Sequence, residues 1–308
     1  RGGAIPLHSP DPFPVDVVSP LSEYGVTAEE MPRIVGSSCG GLHTLMLMSD
    51  GRVMACGFGR FGQLGLGFSG GSTQPNPLQI LTLHPAVSIA AGGSHSAAVC
   101  DNGNVYTWGR GAQGRLGYKN AHETEHDPRC VEVLSGLGIG SVACGGFHTG
   151  ALAEDGKRLW MWGGGENGEL GNGNSQNCVE PRLVQELEGE PLKGVSLGGF
   201  HSAAVTESGD VLTWGMGTVG QLGHGDDKQQ LIPKRLKGVP PAIQVSCGGV
   251  HTAIVTRGGE LWVFGGNGEG QLGLDIKSAR SPHMVEAFGD SVSFVSCGGS
   301  QTAVIKSD

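Results

Sequence analysis

The chain has 308 residues and a net charge of −9, and 57 of its residues are glycine. An acidic chain without any run of Lys or Arg is not typical of a nucleic-acid-binding protein, because neutralising phosphates requires clustered basic side chains. No apolar stretch approaches the roughly 20 residues that a membrane-spanning helix requires. The glycines recur in pairs and short ladders along the whole chain, which indicates many tight turns.

Two segments precede the regular part of the chain. Residues 1–18 contain the proline-led run Pro12-Phe-Pro-Val-Asp-Val-Val18, which predicts a strand that completes a sheet begun by the other end of the chain. Residues 19–33 have no counterpart later in the sequence, and we expect them to form an inserted surface loop.

An internal repeat begins at residue 34. Its first signature is Gly-Gly-x-His followed by Thr or Ser, and the sixth copy has Gln instead of His. The positions are His43, His95, His148, His201, His251 and Gln301, separated by 52, 53, 53, 50 and 50 residues. Self-similarity at such a spacing is the sequence signature of a repeat architecture.

Two further signatures follow each His. A strand ending in Trp-Gly or a similar pair leads into a glycine ladder that closes in Leu-Gly, as in Gly215-Met-Gly-Thr-Val-Gly-Gln-Leu-Gly223. A proline then opens an apolar run. Short β-rich runs joined by glycine turns predict hairpins, so each unit is a small four-stranded sheet. We assign five full repeats (34–85, 86–137, 138–192, 193–241 and 242–290) and a partial sixth (291–308).

Such units predict an all-β propeller. A four-stranded blade cannot bury both of its faces alone, and packing against neighbouring blades around a ring supplies the missing burial. We therefore expect one propeller domain over residues 1–308, in which residues 1–18 supply the closing-blade strand.

The combination of Gly-Gly-x-His-Thr/Ser, Trp-Gly and Gly-Gln-Leu-Gly resembles the repeats of the regulator of chromosome condensation (RCC1-like) family, over residues 34–308. This resemblance implies a propeller of seven four-stranded blades. Counting the repeats in this chain gives the alternative of six.

The five histidines are the strongest candidate for chemistry. A ring of imidazoles could hold a metal, and a metal-dependent enzyme is one alternative reading. Gln301 breaks the set, however, and no carboxylate recurs in register to orient the rings. We therefore interpret His43, His95, His148, His201 and His251 as structural, and we predict no catalytic residue, no metal and no cofactor.

The function that these features favour is a non-enzymatic scaffold that binds a protein through one face of the ring. The predicted partner-binding residues lie between Trp-Gly and Leu-Gly: Arg60, Phe61, Arg110, Gln113, Glu166, Asn167, Met216, Val219 and Glu269. No nucleic acid or membrane partner is expected. Eight cysteines without Cys-x-x-Cys spacing indicate unpaired thiols in a reducing compartment, so an intracellular location, cytoplasmic or nuclear, is predicted.

The resemblance also implies two other activities. One is guanine-nucleotide exchange or regulation of a small GTPase, which in the family uses a protruding wedge. The intervals from Leu-Gly to the next His or Gln are 30, 31, 30, 28 and 28 residues, without room for a wedge, so exchange is kept as the alternative. The other is ultraviolet reception, which needs Trp and Arg before the repeat His, where this chain has pairs such as Gly41-Leu42.

Overall fold

The computed structural model describes residues 32–67 and 73–307. The predicted closing strand at residues 1–18, and the inserted loop at 19–33 except for its last two residues, lie outside the described residues. The described strands all lie in the compact unit that starts at Ile34.

Five four-stranded antiparallel sheets and one two-stranded sheet follow one another along the described residues. Blade 1 comprises β1 (Ile34–Cys39), β2 (His43–Met48), β3 (Val53–Phe58) and β4 (Thr73–Gln79). Blade 2 comprises β5 (Ala86–Ala91), β6 (His95–Cys100), β7 (Val105–Arg110) and β8 (Thr124–Cys130). Blade 3 comprises β9 (Ile139–Cys144), β10 (His148–Ala153), β11 (Leu159–Gly163) and β12 (Cys178–Leu183).

The remaining strands repeat this order. Blade 4 comprises β13 (Leu192–Leu197), β14 (His201–Thr206), β15 (Val211–Gly215) and β16 (Gln230–Arg235). Blade 5 comprises β17 (Ala242–Cys247), β18 (His251–Thr256), β19 (Leu261–Gly266) and β20 (Ser278–Met284), and blade 6 comprises β21 (Val292–Cys297) and β22 (Thr302–Lys306). Short 3₁₀ helices lie at Ala112–Gly114, Glu132–Leu134, Gln185–Leu187 and Glu286–Phe288.

The predicted all-β propeller is confirmed, and the described residues form six blades, the number counted from the repeats. A seventh blade stays a prediction from the family resemblance. The Gly-Gly turns of all six blades line one central opening, and the first strand of each blade contacts the first strand of the next, from β1 to β21. The first strands are therefore innermost, and the fourth strands lie at the rim.

The hydrophobic core lies between the blades. The second strands of blades 2 to 5 (β6, β10, β14 and β18) are buried along their whole length. The largest buried side chains, Trp108, Trp162, Trp214 and Phe264, come from the third strands. Each core cluster joins residues of successive blades; one combines Leu45 and Val53 of blade 1 with Ala98 and Trp108 of blade 2. The blades thus bury each other's faces, as the repeat pattern predicts.

The Gly-Gly turns allow adjacent blades to approach closely around the central opening. The Gly199 amide donates a hydrogen bond to the Gly248 carbonyl oxygen of the next blade, at 3.1 Å. A Cβ atom on Gly199 would lie 2.6 Å from the Gly249 carbonyl oxygen, whereas a Cβ on Gly299, the equivalent in blade 6, would meet no atom of the described residues within 4 Å. The glycine is thus required sterically at the first position, and no described neighbour requires it at the second.

We expect Gly199→Ala to lower the free energy of unfolding by about 1–3 kcal/mol, because the added methyl must push two blades apart. Urea unfolding followed by circular dichroism measures this loss. Gly299→Ala is the matched control and should change the stability by no more than about 0.5 kcal/mol. Equal losses in the two variants would contradict the steric explanation.

Candidate protein-interaction face

Each repeat histidine joins its own blade to the next one. The Nε2 atoms of His43, His95, His148, His201 and His251 lie 2.8–3.0 Å from the hydroxyl oxygens of Ser96, Thr149, Ser202, Thr252 and Thr302. Each hydroxyl in turn donates to a loop carbonyl of the preceding blade; Thr252 Oγ1, for example, lies 2.8 Å from the Gln221 carbonyl oxygen. Since the hydroxyl proton is used in this bond, Nε2 must donate its own proton to the hydroxyl oxygen.

The imidazoles are neutral and buried. Burial lowers the pKa of His148 and His201 to about 3 and that of His43 and His251 to about 4, and it also lowers the pKa of His95. The Nδ1 atoms are buried and have no hydrogen-bond partner in the part of the chain that the structure describes. A Cβ atom on Gly198 would lie 2.5 Å from His201 Cε1, so the ring occupies the space that a side chain at Gly198 would need. This geometry supports the structural role predicted for the five histidines.

Two sets of loops meet at the same face of the propeller. The loop between the first and second strands of each blade ends just before the repeat histidine. The loop after the third strand begins beside it: the Phe58 amide donates to the Leu42 carbonyl oxygen at 2.8 Å, and the Met216 amide donates to that of Phe200 at 2.9 Å. We call this surface the His face. All nine predicted partner-binding residues lie in the second set of loops or at its border.

A buried side chain braces each of these loops from below. In blade 1 the Phe61 amide donates to Gln63 Oε1 at 2.9 Å. Glu169, Gln221 and Gln271 accept the amide hydrogens of Asn167, Val219 and Glu269 in the same way, at 2.7, 3.0 and 2.9 Å. The tips that carry the predicted contacts are therefore held by a common internal hydrogen bond.

Blade 2 departs from this scheme because Arg115 occupies the bracing position. A guanidinium cannot accept a hydrogen bond, and Arg115 instead donates to the Ala112 carbonyl oxygen and to Gln113 Oε1, both at 2.8 Å. Gln113 has a φ of 62° and is the non-glycine residue with positive φ among those described. Arg115, in place of the Gln or Glu of the other blades, thus goes together with a different backbone conformation in this loop.

The nine predicted residues differ in exposure and fall into separate groups. Arg60, Gln113, Glu166, Val219 and Glu269 are exposed, whereas Phe61, Arg110, Asn167 and Met216 are partly buried. The fold brings Phe61 and Arg110 together across the first two blades, with the guanidinium carbon 5.0 Å from the ring centroid. The residues of blades 3 to 5 lie on separate loops, and within the described residues no hydrogen bond, ion pair or ring contact joins them to this pair.

Four residues that sequence reasoning did not select add further ring contacts to the same face, on blades 1 to 4. Phe58 lies edge-on to Phe61 with centroids 6.2 Å apart, Arg115 lies 5.0 Å from the Phe147 ring, and Phe147 stacks on Phe200 at 5.1 Å. We call Phe58, Phe61, Arg110, Arg115, Phe147 and Phe200 the Arg/Phe row. Phe147 and Phe200 precede repeat histidines, so an apolar residue at that position was the available signal.

The described residues contain neither a cluster of metal ligands nor a helix suited to a membrane. No group of three or more His, Cys, Asp or Glu side chains there is arranged to hold a metal ion. No helix in the same part of the chain is long and apolar enough to cross a membrane.

The lowered histidine pKa values predict loss of stability in acid. Above the unfolded-state pKa of about 6.5 the imidazoles are neutral in both states, and below it the unfolded chain gains protons that the folded protein excludes. Each buried histidine should then remove about 1.4 kcal/mol of stability per pH unit until its folded pKa is reached. Urea unfolding at pH 7.5 and pH 5.5 should show a steep loss.

His201→Gln tests this assignment, because Gln301 naturally occupies the same repeat position. This variant should lose about 1.4 kcal/mol less than the wild type between the two pH values. The matched control His283→Gln, at an exposed position, should lose as much as the wild type. An unchanged pH dependence in His201→Gln would refute the assignment.

Comparison with known proteins identifies the family of this chain. The model of the protein family described as "RCC1-like domain" matches residues 14–304 of this chain. The human E3 ubiquitin-protein ligase HERC2 is 38% identical over 67% of this chain, which corresponds to 4% of that protein. The ultraviolet-B receptor UVR8 of Arabidopsis thaliana is 37% identical over 66% of this chain and 46% of the receptor. The chain thus spans less than half the length of either relative.

Solved structures show the same fold. Human WBSCR16 superposes with a TM-score of 0.79 at 24% identity, covering 89% of this chain and 74% of that chain. Prp20p of Saccharomyces cerevisiae, described with its binding to Gsp1p and histones, gives a TM-score of 0.80 at 23% identity, covering 94% and 71%. The repeat signatures, the blades and the family match agree, and the chain belongs to the RCC1-like domain family.

Proposed function

We propose that this chain is a non-enzymatic protein-interaction platform that binds a protein partner through the His face. The observation that carries the proposal is the contrast between a repeated frame and variable tips. The same buried brace recurs beneath the loops of blades 1, 3, 4 and 5, while the exposed side chains above it differ in every blade. Variable loops on a rigid scaffold are typical of binding surfaces.

Apolar side chains at the His face strengthen this proposal. Leu42 is 68% exposed and Val219 is 37% exposed. Partly buried Phe61 lies in the same blade as Leu42, and partly buried Met216 lies on the same loop as Val219. Aromatic and apolar side chains of this kind anchor protein interfaces, where a few residues carry most of the binding energy.

The histidine geometry supports a binding role over acid–base chemistry. Each Nε2 is already engaged by a hydroxyl whose own proton goes to a backbone carbonyl, as for His201, Thr252 and Gln221. Burial keeps the imidazole neutral across the physiological pH range, because the folded pKa lies far below 7. A group engaged in this way is poorly suited to exchange protons with a substrate.

Ultraviolet reception is not proposed, despite the similarity to UVR8. The two positions before each repeat histidine, where the photoreceptor type has Trp and Arg, hold residues such as Gly146-Phe147 and Gly199-Phe200. Their phenylalanines belong to the Arg/Phe row.

We expect Phe61→Asp and Met216→Asp to abolish or strongly weaken partner binding, because a carboxylate at an apolar anchor typically costs 2 kcal/mol or more, about thirtyfold in affinity. Comparative affinity purification with quantitative mass spectrometry measures this loss. Ile232→Asp, an exposed position on rim strand β16, is the matched control and should retain the wild-type partners. Partners retained by both face variants would refute the use of this face.

Regulation of a small GTPase is the second candidate, and it rests on the family resemblance. We expect no acceleration of nucleotide release from a panel of small GTPases loaded with a fluorescent GDP analogue, because the uniform repeat intervals leave no room for a wedge. Accelerated release from any member would favour the exchange function instead.

A further inference from the structure

The arginines that the structure describes differ in their ion pairing. Arg52, Arg129, Arg158, Arg235 and Arg280 each have a side-chain carboxylate within 3.9 Å. Arg60, Arg110 and Arg115, on the His face of blades 1 and 2, have no ion pair with any residue that the structure describes. Arg182, on rim strand β12, and Arg257, in the turn after β18, also lack one, but they lie away from the His face. Because Arg115 is buried, the positive charge that this face leaves unpaired at its surface is that of Arg60 and Arg110.

Two of these arginines lie near each other without a neutralising charge. Burial lowers the pKa of Arg115 to about 10, and the nearby positive charge of Arg110 contributes to the same decrease. Arg110 Nε is buried and has no hydrogen-bond partner among the described residues. Keeping like charges close together costs free energy, which an anion bound at this position would recover.

The same location offers an apolar surface. Phe61 lies beneath the Arg110 guanidinium at 5.0 Å and follows the exposed Arg60 directly in the chain. The Phe58 ring contacts Phe61, and the Phe58 amide is bonded to the carbonyl of the highly exposed Leu42. Positive charge and apolar area therefore occur side by side on blades 1 and 2.

We propose that Arg60, Arg110 and Phe61 form a docking site for a short acidic segment of a protein partner, with an aspartate or glutamate next to an apolar side chain. The carboxylates pair with the two guanidinium groups, and the apolar side chain rests on Phe61 and Leu42. Arg115 is a positioning residue, since its guanidinium is used to shape its own loop. This inference rests on the proposed protein-binding function of the same face.

Charge on the rest of the face favours a peptide over a nucleic acid. Glu166 and Glu269 are exposed on the loops of blades 3 and 5, where they would repel a polyanion that extended across the ring. A segment with a few carboxylates can remain on blades 1 and 2. The opposite charges on the two sides of the face also define the direction in which a partner lies.

Selection from a phage-displayed library of random dodecapeptides against the whole chain tests the proposal. We expect the recovered sequences to be enriched in Asp or Glu beside Leu, Ile or Phe. A synthetic peptide of the recovered sequence, labelled with fluorescein, should bind in an anisotropy assay. Arg60→Glu and Arg110→Glu should each weaken it at least about tenfold, because reversal turns an attraction into a repulsion.

Two controls keep the outcomes separate. Arg257→Glu reverses the charge of an exposed arginine in the turn after β18, at the opposite end of the strands from the His face, and should leave affinity unchanged. The Arg60 side chain makes no hydrogen bond, ion pair or ring contact with a described residue, so Arg60→Glu remains informative even if Arg110→Glu impairs folding, which thermal melts would show.

Several results would overturn the inference. These are recovery of basic, uncharged or no sequences, equal binding of acidic peptides by both reversal variants, and preferential binding of a single-stranded oligonucleotide at the same site. If they occur while Phe61→Asp and Met216→Asp still lose a protein partner, the acidic-segment inference fails and the binding platform stands. If no partner depends on the His face, the proposed function fails as well.

Discussion

A single loop carbonyl in each of blades 1 to 5 connects that blade to the next one. The carbonyl oxygen of Glu169 accepts hydrogen bonds from Ser202 Oγ at 2.8 Å and from Trp214 Nε1 at 2.9 Å, both in the next blade. Ser202 Oγ also receives the proton of His148 Nε2, from the same blade as Glu169. One buried polar node thus ties a loop, a second strand and a third strand across two blades, and it carries no net charge. In a low-dielectric interior such a node is stable only when each member is satisfied.

The node explains why the His face can be both rigid and variable. The carbonyl of the node belongs to the same residue whose side chain braces the exposed loop. In blade 1 this residue is Gln63: its carbonyl oxygen accepts a hydrogen bond from Trp108 of the next blade, and its side chain accepts one from the Phe61 amide. The backbone of that residue is fixed by the neighbouring blade, and its side chain fixes the loop tip. The residues above are free to differ in charge and size without disturbing the core.

Two positions show the limits of this freedom. At the bracing position of blade 2, Arg115 is a hydrogen-bond donor where the other blades have an acceptor, and Gln113 in the same loop has a positive φ. Glu169 keeps the acceptor, and burial raises the pKa of its carboxyl group, with the Asn167 amide donating to it at 2.7 Å. Both residues are buried, so the electrostatic character of the face depends partly on groups beneath it.

The amino-acid sequence by itself determined the fold class, the strands of the described blades and the loops that form one face. It could do so because each repeated residue performs a local task that few side chains can perform, such as the close approach of blades at Gly199. Only the tertiary structure placed Phe61 under Arg110 and joined Arg115, Phe147 and Phe200. These contacts link residues of successive blades that are 32 to 53 positions apart in the sequence, and no periodic pattern in one repeat specifies which side chains meet across that distance.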